Sequence, residues 1–316
     1  MQKLLMLLLG AALSVAAHAQ QYPTKRVTFV SGVTPGSASD TMARILAEKL
    51  QQKWGQPVIV ENRLGAGGLV GAKYVAGSEP DGHLIMMYAS AFTVSPLLQP
   101  DVLKTSELQP VAMVATIPTV LVAQPEKYKT LKDFIGAARA NPGKIVCADA
   151  GIGSATHMAF ERFRFAAGIE NVINVHTKGV GEAITEVISG RADCYFALVF
   201  QARKMVDSGK LVALATSSPK RSALMPDVPT TEELGFANSA YNFWVGALVP
   251  AKTPRAVVDK LHADITSLVE SPEVSDQIRK LGCDPLPQSV RDFEAMVAKE
   301  LRENAELIRK ANIKAN

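Results

Sequence analysis

The chain has 316 residues, 34 Lys and Arg against 30 Asp and Glu, and a formal charge of +4. Opposite charges are interspersed with no Lys/Arg block beyond short pairs, which argues against a nucleic-acid partner. Its three cysteines (Cys147, Cys194 and Cys283) are too few for a disulfide scaffold and lack metal-ligand spacing.

The chain opens with Lys3, an apolar run from Leu4 to Ala17, and Ala17-His18-Ala19. A charged start, an apolar middle and an A-x-A end read as a secretory signal peptide cut after Ala19. The run, about 14 residues, is short of the ~20 that span a bilayer, and no later segment is long and apolar enough. The expectation is an exported chain, periplasmic in a Gram-negative cell, long enough for two domains.

Strand and helix signals then alternate. Lys25 to Ser31 reads as a strand, and Ser39 to Trp54 as a helix with Met42, Ala43, Leu46, Ala47 and Leu50 on one face. A strand over 57–61, a helix over 67–76, a turn at Glu79-Pro80-Asp81-Gly82 and a strand over 84–89 follow. This β-α-β-α-β order predicts a parallel sheet flanked by helices. An apolar stretch from Val111 to Val122 is interrupted at Pro118. A second series begins beyond it: helix 131–140, strand 144–148, helix 154–167, strand 172–176, helix 181–189, and strands 194–199 and 211–216. After a Pro-rich segment come a strand over 243–249 and long helices over 254–270 and 289–310.

Five small-residue turns sit at the carboxyl ends of predicted strands, where ligands collect in open α/β sheets. They are Thr34-Pro35-Gly36-Ser37-Ala38-Ser39-Asp40, Asn62 to Gly68, Ala89-Ser90-Ala91, Ala150 to His157, and Thr177 to Gly181. The first and fourth open helices, so their first-turn N–H groups and helix dipoles favour an anion. Asp40 reads as a cap or loop brace. Arg63 reads as either a specificity charge or a loop residue. Tyr195 and Phe200 are candidates to line a cleft, and Trp244 is read as core. Cys147 and Cys194, each in a strand-like run, are either a disulfide or two buried thiols.

Gly65 to Gly71 does not match G-x-G-x-x-G, and there is no G-x-x-x-x-G-K-[ST] and no G-x-S-x-G. Ser154 and His157 lie one helical turn apart without an acid to orient them, so Ser154 reads as an N-cap. No His pair has metal-ligand spacing. Catalysis, cofactors and metals are therefore not expected.

The ordered set Thr34 to Asp40, Val60 to Gly68, Pro80-Asp81-Gly82, Gly151-Ile152-Gly153-Ser154, Lys178-Gly179, Leu214-Ala215-Thr216, Pro226 to Thr230 and Pro250 to Pro254 resembles the Bug family. These are the TctC-type solute receptors of tripartite tricarboxylate transporters. The resemblance covers essentially the whole mature chain. It implies a periplasmic binding protein with two α/β lobes closing on a small organic acid, acidic amino acid or aromatic carboxylate. A ligand carboxylate would be held by backbone groups and bridging waters at Ser37, Ala38 and Ser39 and at Ala66 and Gly67. Gly153, Ser154, Ala155 and Thr156 take the corresponding place in the other lobe, with Asp40, Ser90, Thr177 and Phe200 nearby.

Where the family has P-G-G this chain has Pro35-Gly36-Ser37, and Y-K-G becomes Thr177-Lys178-Gly179. An aspartate often found after the strand ending at Phe196 is replaced by Ala197-Leu198-Val199-Phe200. That loss, with Phe92 beside Ser90, favours a carboxylate with an apolar body over an α-amino acid. The expected layout is lobe 1 over 20–121, lobe 2 over 122–217, and a return to lobe 1 over 218–316, with hinge crossings near Val122 and Thr216. The expected partners are a small carboxylate and the membrane permease of such a transporter, with the receptor a monomer. An exported α/β hydrolase and a sensory ligand-binding protein are the alternatives.

Overall fold

The computed structural model of the chain describes residues 22–315, so the expected signal peptide and its cut after Ala19 lie outside the described residues. Within them, no helix is long and apolar enough to cross a membrane.

The first unit begins with β1 (Val27–Ser31), α1 (Ala38–Trp54), β2 (Val58–Asn62), α2 (Leu69–Ala76) and β3 (Leu84–Ala89), its three strands parallel. α1 starts where Ser37 is extended and its Oγ accepts the Asp40 N–H. It stops where Gly55 takes φ +65° and its N–H returns to the Gln51 carbonyl at 3.0 Å. Between these caps Met42, Leu46 and Leu50 are buried against Phe29, Ile85 and Met87. Each large side chain so buried contributes about 1.5–3 kcal/mol.

A 3₁₀ turn at Ser90–Thr93 leads to the short α3 (Ser95–Leu98), then to β4 (Leu108–Thr116) and β5 (Thr119–Ala123). β4 belongs to the first sheet and β5 to the second, so the chain changes sheet at Ile117–Pro118 and not near Val122. Proline has no N–H to extend a ladder, and the strand ends at it.

The second unit continues with α4 (Leu131–Ala140), β6 (Val146–Asp149), α5 (Ala155–Ala166), β7 (Ile173–His176), α6 (Val180–Ile188), β8 (Cys194–Leu198), α7 (Val199–Asp207) and β9 (Val212–Thr216). The chain then returns through β10 (Trp244–Pro250), α8 (Arg255–Glu270), α9 (Pro272–Lys280), β11 (Asp284–Pro285) and α10 (Val290–Lys310). The first sheet has the order β11-β4-β10-β3-β1-β2 and the second β7-β6-β8-β5-β9. Each is parallel on one flank and antiparallel on the other, because β10 and β5 enter against their neighbours. β10 is buried along its whole length, as its unbroken apolar run requires of a central strand.

Cys147 of β6 and Cys194 of β8 stand opposite each other in register, 4.7 Å apart at Cα, and form a disulfide. Of the two readings open at the sequence level, the parallel pairing decides for the bridge, since 4.7 Å is within reach of an S–S bond.

Six elements carry no assignment in the sequence reading: β4 and β5, read there only as one apolar stretch broken at Pro118, and α3, α7, α9 and β11. α9 carried a legible signal, because Ser271 caps it and Pro272 occupies its first turn. The two units are tied by α10. Its Phe293 and Val297 lie in the first unit's core with Trp244, while Leu307 lies in the second unit's core with Phe160 and Phe163.

Candidate ligand-binding cleft

The first turn is held by a buried carboxylate. Asp40 Oδ2 accepts the Gly36 N–H at 2.9 Å and Arg44 Nε at 2.9 Å, while Oδ1 accepts Asn62 Nδ2 at 2.6 Å and Arg44 Nη2 at 3.2 Å. Burial alone raises the pKa of this carboxyl. The hydrogen bonds from Arg44, Gly36 and Asn62 outweigh it and hold the group below the usual range. Asp40 therefore braces the turn and has little capacity left for a ligand. Asn62 Nδ2 also reaches the Val33 carbonyl at 3.1 Å, linking the end of β2 to the same turn.

What the brace leaves free are amides. Ser37 Oγ takes the Asp40 N–H and Ser37 O takes that of Thr41, while among the described residues Ala38 N and Ser39 N have no partner. Asp40→Ala is expected to cost about 2 kcal/mol in a urea titration, because Asn62 and the Gly36 N–H lose their acceptor. Asp40 stabilises above its unfolded pKa, and that contribution is lost as pH falls through the lowered folded value. A loss below about 0.5 kcal/mol at pH 7 would mean that the turn does not depend on the brace.

The second turn packs backbone to backbone on the first. A Cβ at Gly32 would lie 2.7 Å from Gly68 Cα, so only glycine permits this approach. Ala66 and Gly67 are exposed at positive φ, 48° and 64°, and Tyr88 Oη donates to the Gly67 carbonyl at 2.9 Å. Gly67 faces Ser95 of α3, and Gly153 of the second unit faces Val94 and Leu98 at the same helix. One short helix thus sits between the second turn and the turn of the opposite unit.

The second-unit turn repeats the first. Ser154 is extended (φ −63°, ψ 159°), as is Ser37 (φ −67°, ψ 161°), and its Oγ accepts the His157 N–H at 3.2 Å. Among the described residues Ala155 N and Thr156 N have no partner. Thr156 Oγ1 accepts the Ala150 N–H at 3.0 Å and lies 3.1 Å from Ser154 Oγ. Asp149 holds the other end of the turn, Oδ1 accepting the Gly151 N–H at 2.8 Å and Oδ2 meeting His176 Nδ1 at 2.8 Å. Thr177 Oγ1 donates to the Asp149 carbonyl at 2.8 Å, which docks the β7 turn onto this one.

The other residues singled out in the sequence have these surroundings. Ser90 is fully buried and its hydroxyl meets Tyr241 Oη at 3.3 Å, so the side chain belongs to the packing below the cleft. Phe92 is core, 5.7 Å from the Tyr88 ring. Phe200, at the start of α7, rests on Gly282 of the first unit, beside the buried Ala197, Leu198 and Val199. Arg63 is stacked 3.5 Å over Tyr74 and paired with Glu61 at 2.8 Å. Tyr195 is fully buried, and its Oη has no partner among the described residues.

Asp149, His157 and His176 bring donor atoms within 4.8 Å of one another, a cluster that spacing in the sequence conceals because β7 delivers His176 beside β6. Within the turn His157 Nδ1 accepts the Gly153 N–H, and Asp149 is bonded by the Gly151 N–H and by His176 Nδ1. No nucleophile is formed, since Ser154 Oγ bonds the backbone of His157 and not its ring.

Two α/β units joined by strand crossings, each with a serine-capped helix start, and a short helix lying between Gly67 of one unit and Gly153 of the other, are the architecture of a two-lobe solute-binding protein. The receptor model of the tripartite tricarboxylate transporter family matches residues 42–313, and the chain belongs to that family of receptors. Protein BugT of Bordetella pertussis is 30% identical over 312 residues, 96% of this chain and 94% of that one. The structure of periplasmic binding protein BugD is 29% identical with a TM-score of 0.75, covering 93% of this chain and all of that one. MatC from Rhodopseudomonas palustris with bound malate is 25% identical with a TM-score of 0.74, covering 91% of this chain and all of its own. The family is one of receptors, not of enzymes.

Proposed function

We propose that the chain is an exported periplasmic receptor that captures a small carboxylate between its two units and delivers it to the membrane subunits of a tripartite transporter. The observation that carries this reading is the matched pair of serine-capped helix starts. Each leaves two adjacent amides free, Ala38 and Ser39 in one unit, Ala155 and Thr156 in the other. Two free amides at a helix N-terminus suit a carboxylate without any arginine. Ser37, Ala66, Gly67, Gly153, Ser154 and Thr177 complete the site, with Asp40 as brace. The malate held by MatC and the naming of BugD as periplasmic support the ligand class and the compartment. Closure about the crossings at Ile117–Pro118 and between Tyr241 and Trp244, where the chain leaves the second unit's core for the first sheet and not directly after Thr216, is driven by contacts that exist only when both turns meet the ligand. The receptor acts as a monomer and needs no cofactor.

A thermal-shift screen of malate, adipate, benzoate and a neutral sugar tests the reading. A carboxylate at 100 times its Kd adds about 2.7 kcal/mol, a rise of about 5 °C for a chain of this size. A shift with the sugar and with no carboxylate would sink the proposal. Ser154→Ala is expected to fold, losing about 1 kcal/mol of capping energy, and to bind about tenfold more weakly. Unchanged affinity in calorimetry would remove Ser154 from the site.

A further inference from the structure

The second-unit turn is held by a group whose hydrogen bond depends on its protonation state. The Gly153 N–H donates to His157 Nδ1 at 3.1 Å, deep enough that His157 is 3% exposed. An imidazole nitrogen accepts only when it carries no proton, so this contact requires the neutral ring with its hydrogen on Nε2. The backbone N–H of the same residue is the one that Ser154 Oγ caps, at 3.2 Å. His157 therefore grips the turn on both sides of Ser154, by its ring at Gly153 and by its main chain at the cap. In the first unit the equivalent grip is made by Asp40, whose backbone N–H goes to Ser37 Oγ and whose side chain takes the Gly36 N–H. The two turns are built alike, with a carboxylate in one and an imidazole in the other.

We infer that His157 is the positioning residue of the second turn: its neutral ring holds Gly153 to Thr156 in ligand-binding geometry, and a proton on Nδ1 releases the turn and with it the ligand. The inference rests on the carboxylate-receptor reading above and adds proton-linked release to that same site. With Nδ1 protonated, two N–H donors confront each other across 3.1 Å and the Gly153 contact cannot survive.

The groups facing the ring come from every element around it. They are Asp149 of β6, His176 of β7 with ring centroids 4.9 Å apart, and Glu161 and Arg164 of α5. Lys314, beyond α10, lines the same cavity of about 210 Å³. Burial lowers the His157 pKa most. Asp149 and Glu161 act against it, His176 and Arg164 add to it, and the balance lies below the ordinary value of 6.5. The grip is thus closed at neutral pH and opens on acidification.

His157→Asn separates this role from plain packing, because an asparagine Oδ1 takes about the place of Nδ1 and accepts the Gly153 N–H at any pH. Malate is titrated by calorimetry at pH 7.5 and at a pH below the midpoint of the His157 ring titration, located by NMR. Wild type is expected to lose about tenfold more affinity than the variant, which carries malate's own titration. Parallel losses in the two proteins would overturn the inference. The Gly153 amide shift, followed by NMR without ligand, is expected to move with the His157 ring titration in wild type. An amide indifferent to that titration would overturn the inference too, and this measurement holds even if the variant does not fold. Should malate bind at neither pH while Gly153 follows the ring, the positioning role stands and the failure falls on malate as ligand.

Discussion

Replacing Cys147 and Cys194 together by alanine is expected to lower stability by about 4 kcal/mol. The bridge closes a loop of 47 residues, and in the chain-entropy account a cross-link of that span removes about this much freedom from the unfolded chain. The loop holds α5, β7, α6 and the whole turn from Ala150 to Thr156, so the second half of the candidate site lies inside it. Both cysteines are buried, 1% and 0% exposed, and alanine in their place leaves only small voids. The urea midpoint of the double variant, compared with the oxidised wild type, measures the effect. A change below about 1 kcal/mol would mean that the unfolded chain is already held together in this region by other contacts.

Glu300→Gln is expected to stabilise the protein at pH 8 and to leave it nearly unchanged at pH 4.5. Glu300 lies on α10 at the junction of the two units, buried, with Oε2 accepting Trp244 Nε1 at 2.8 Å and lying 3.2 Å from Thr93 Oγ1. Burial raises its pKa to about 7 against the ordinary 4.5, although Trp244, Arg162 and Thr93 pull the other way. The sign follows from proton counting. Between pH 4.5 and about 7 the folded state holds a proton that the unfolded state has released, so folding stability falls as pH rises through that window. At about 1.36 kcal/mol per pH unit the interval amounts to about 3 kcal/mol. Glutamine keeps the acceptor for Trp244 and never ionises, so the difference between variant and wild type isolates this group. Equal stabilities at pH 4.5 and pH 8 would show that Glu300 is solvated in the native protein.

The neighbourhood gives that group a mechanical setting. Asn304 Nδ2 reaches Thr93 Oγ1 at 2.9 Å, and Arg162 of the second unit reaches Asn304 Oδ1 and Glu303 at 3.0 Å each. A single helix therefore carries hydrogen bonds into both units at the place where they meet. None of this was legible in the amino-acid order, since Glu300 reads there as one more charge on an amphipathic helix.

Local order alone determined much of this protein. The alternation of apolar runs with period-3.6 stretches specified most strands and helices, and Ser154 marked a helix end whose cap needs only neighbours in the chain, whereas the caps at Ser37 and Gly55 were not read from the sequence. The break at Pro118 and the strand-turn-helix sites that leave amides free were readable for the same reason, because their chemistry lies within a few residues. Tertiary structure decided what depends on distant partners. It chose the flanks on which β10 and β5 run antiparallel, joined Cys147 to Cys194, buried Ser90 under Tyr241 and sent Phe200 onto Gly282. It also set His176 beside Asp149 and Asn62 beside Asp40. Each of these pairs is separated by more than twenty residues, so only packing of the sheets brings them within the 3–6 Å at which hydrogen bonds, disulfides and van der Waals contacts act.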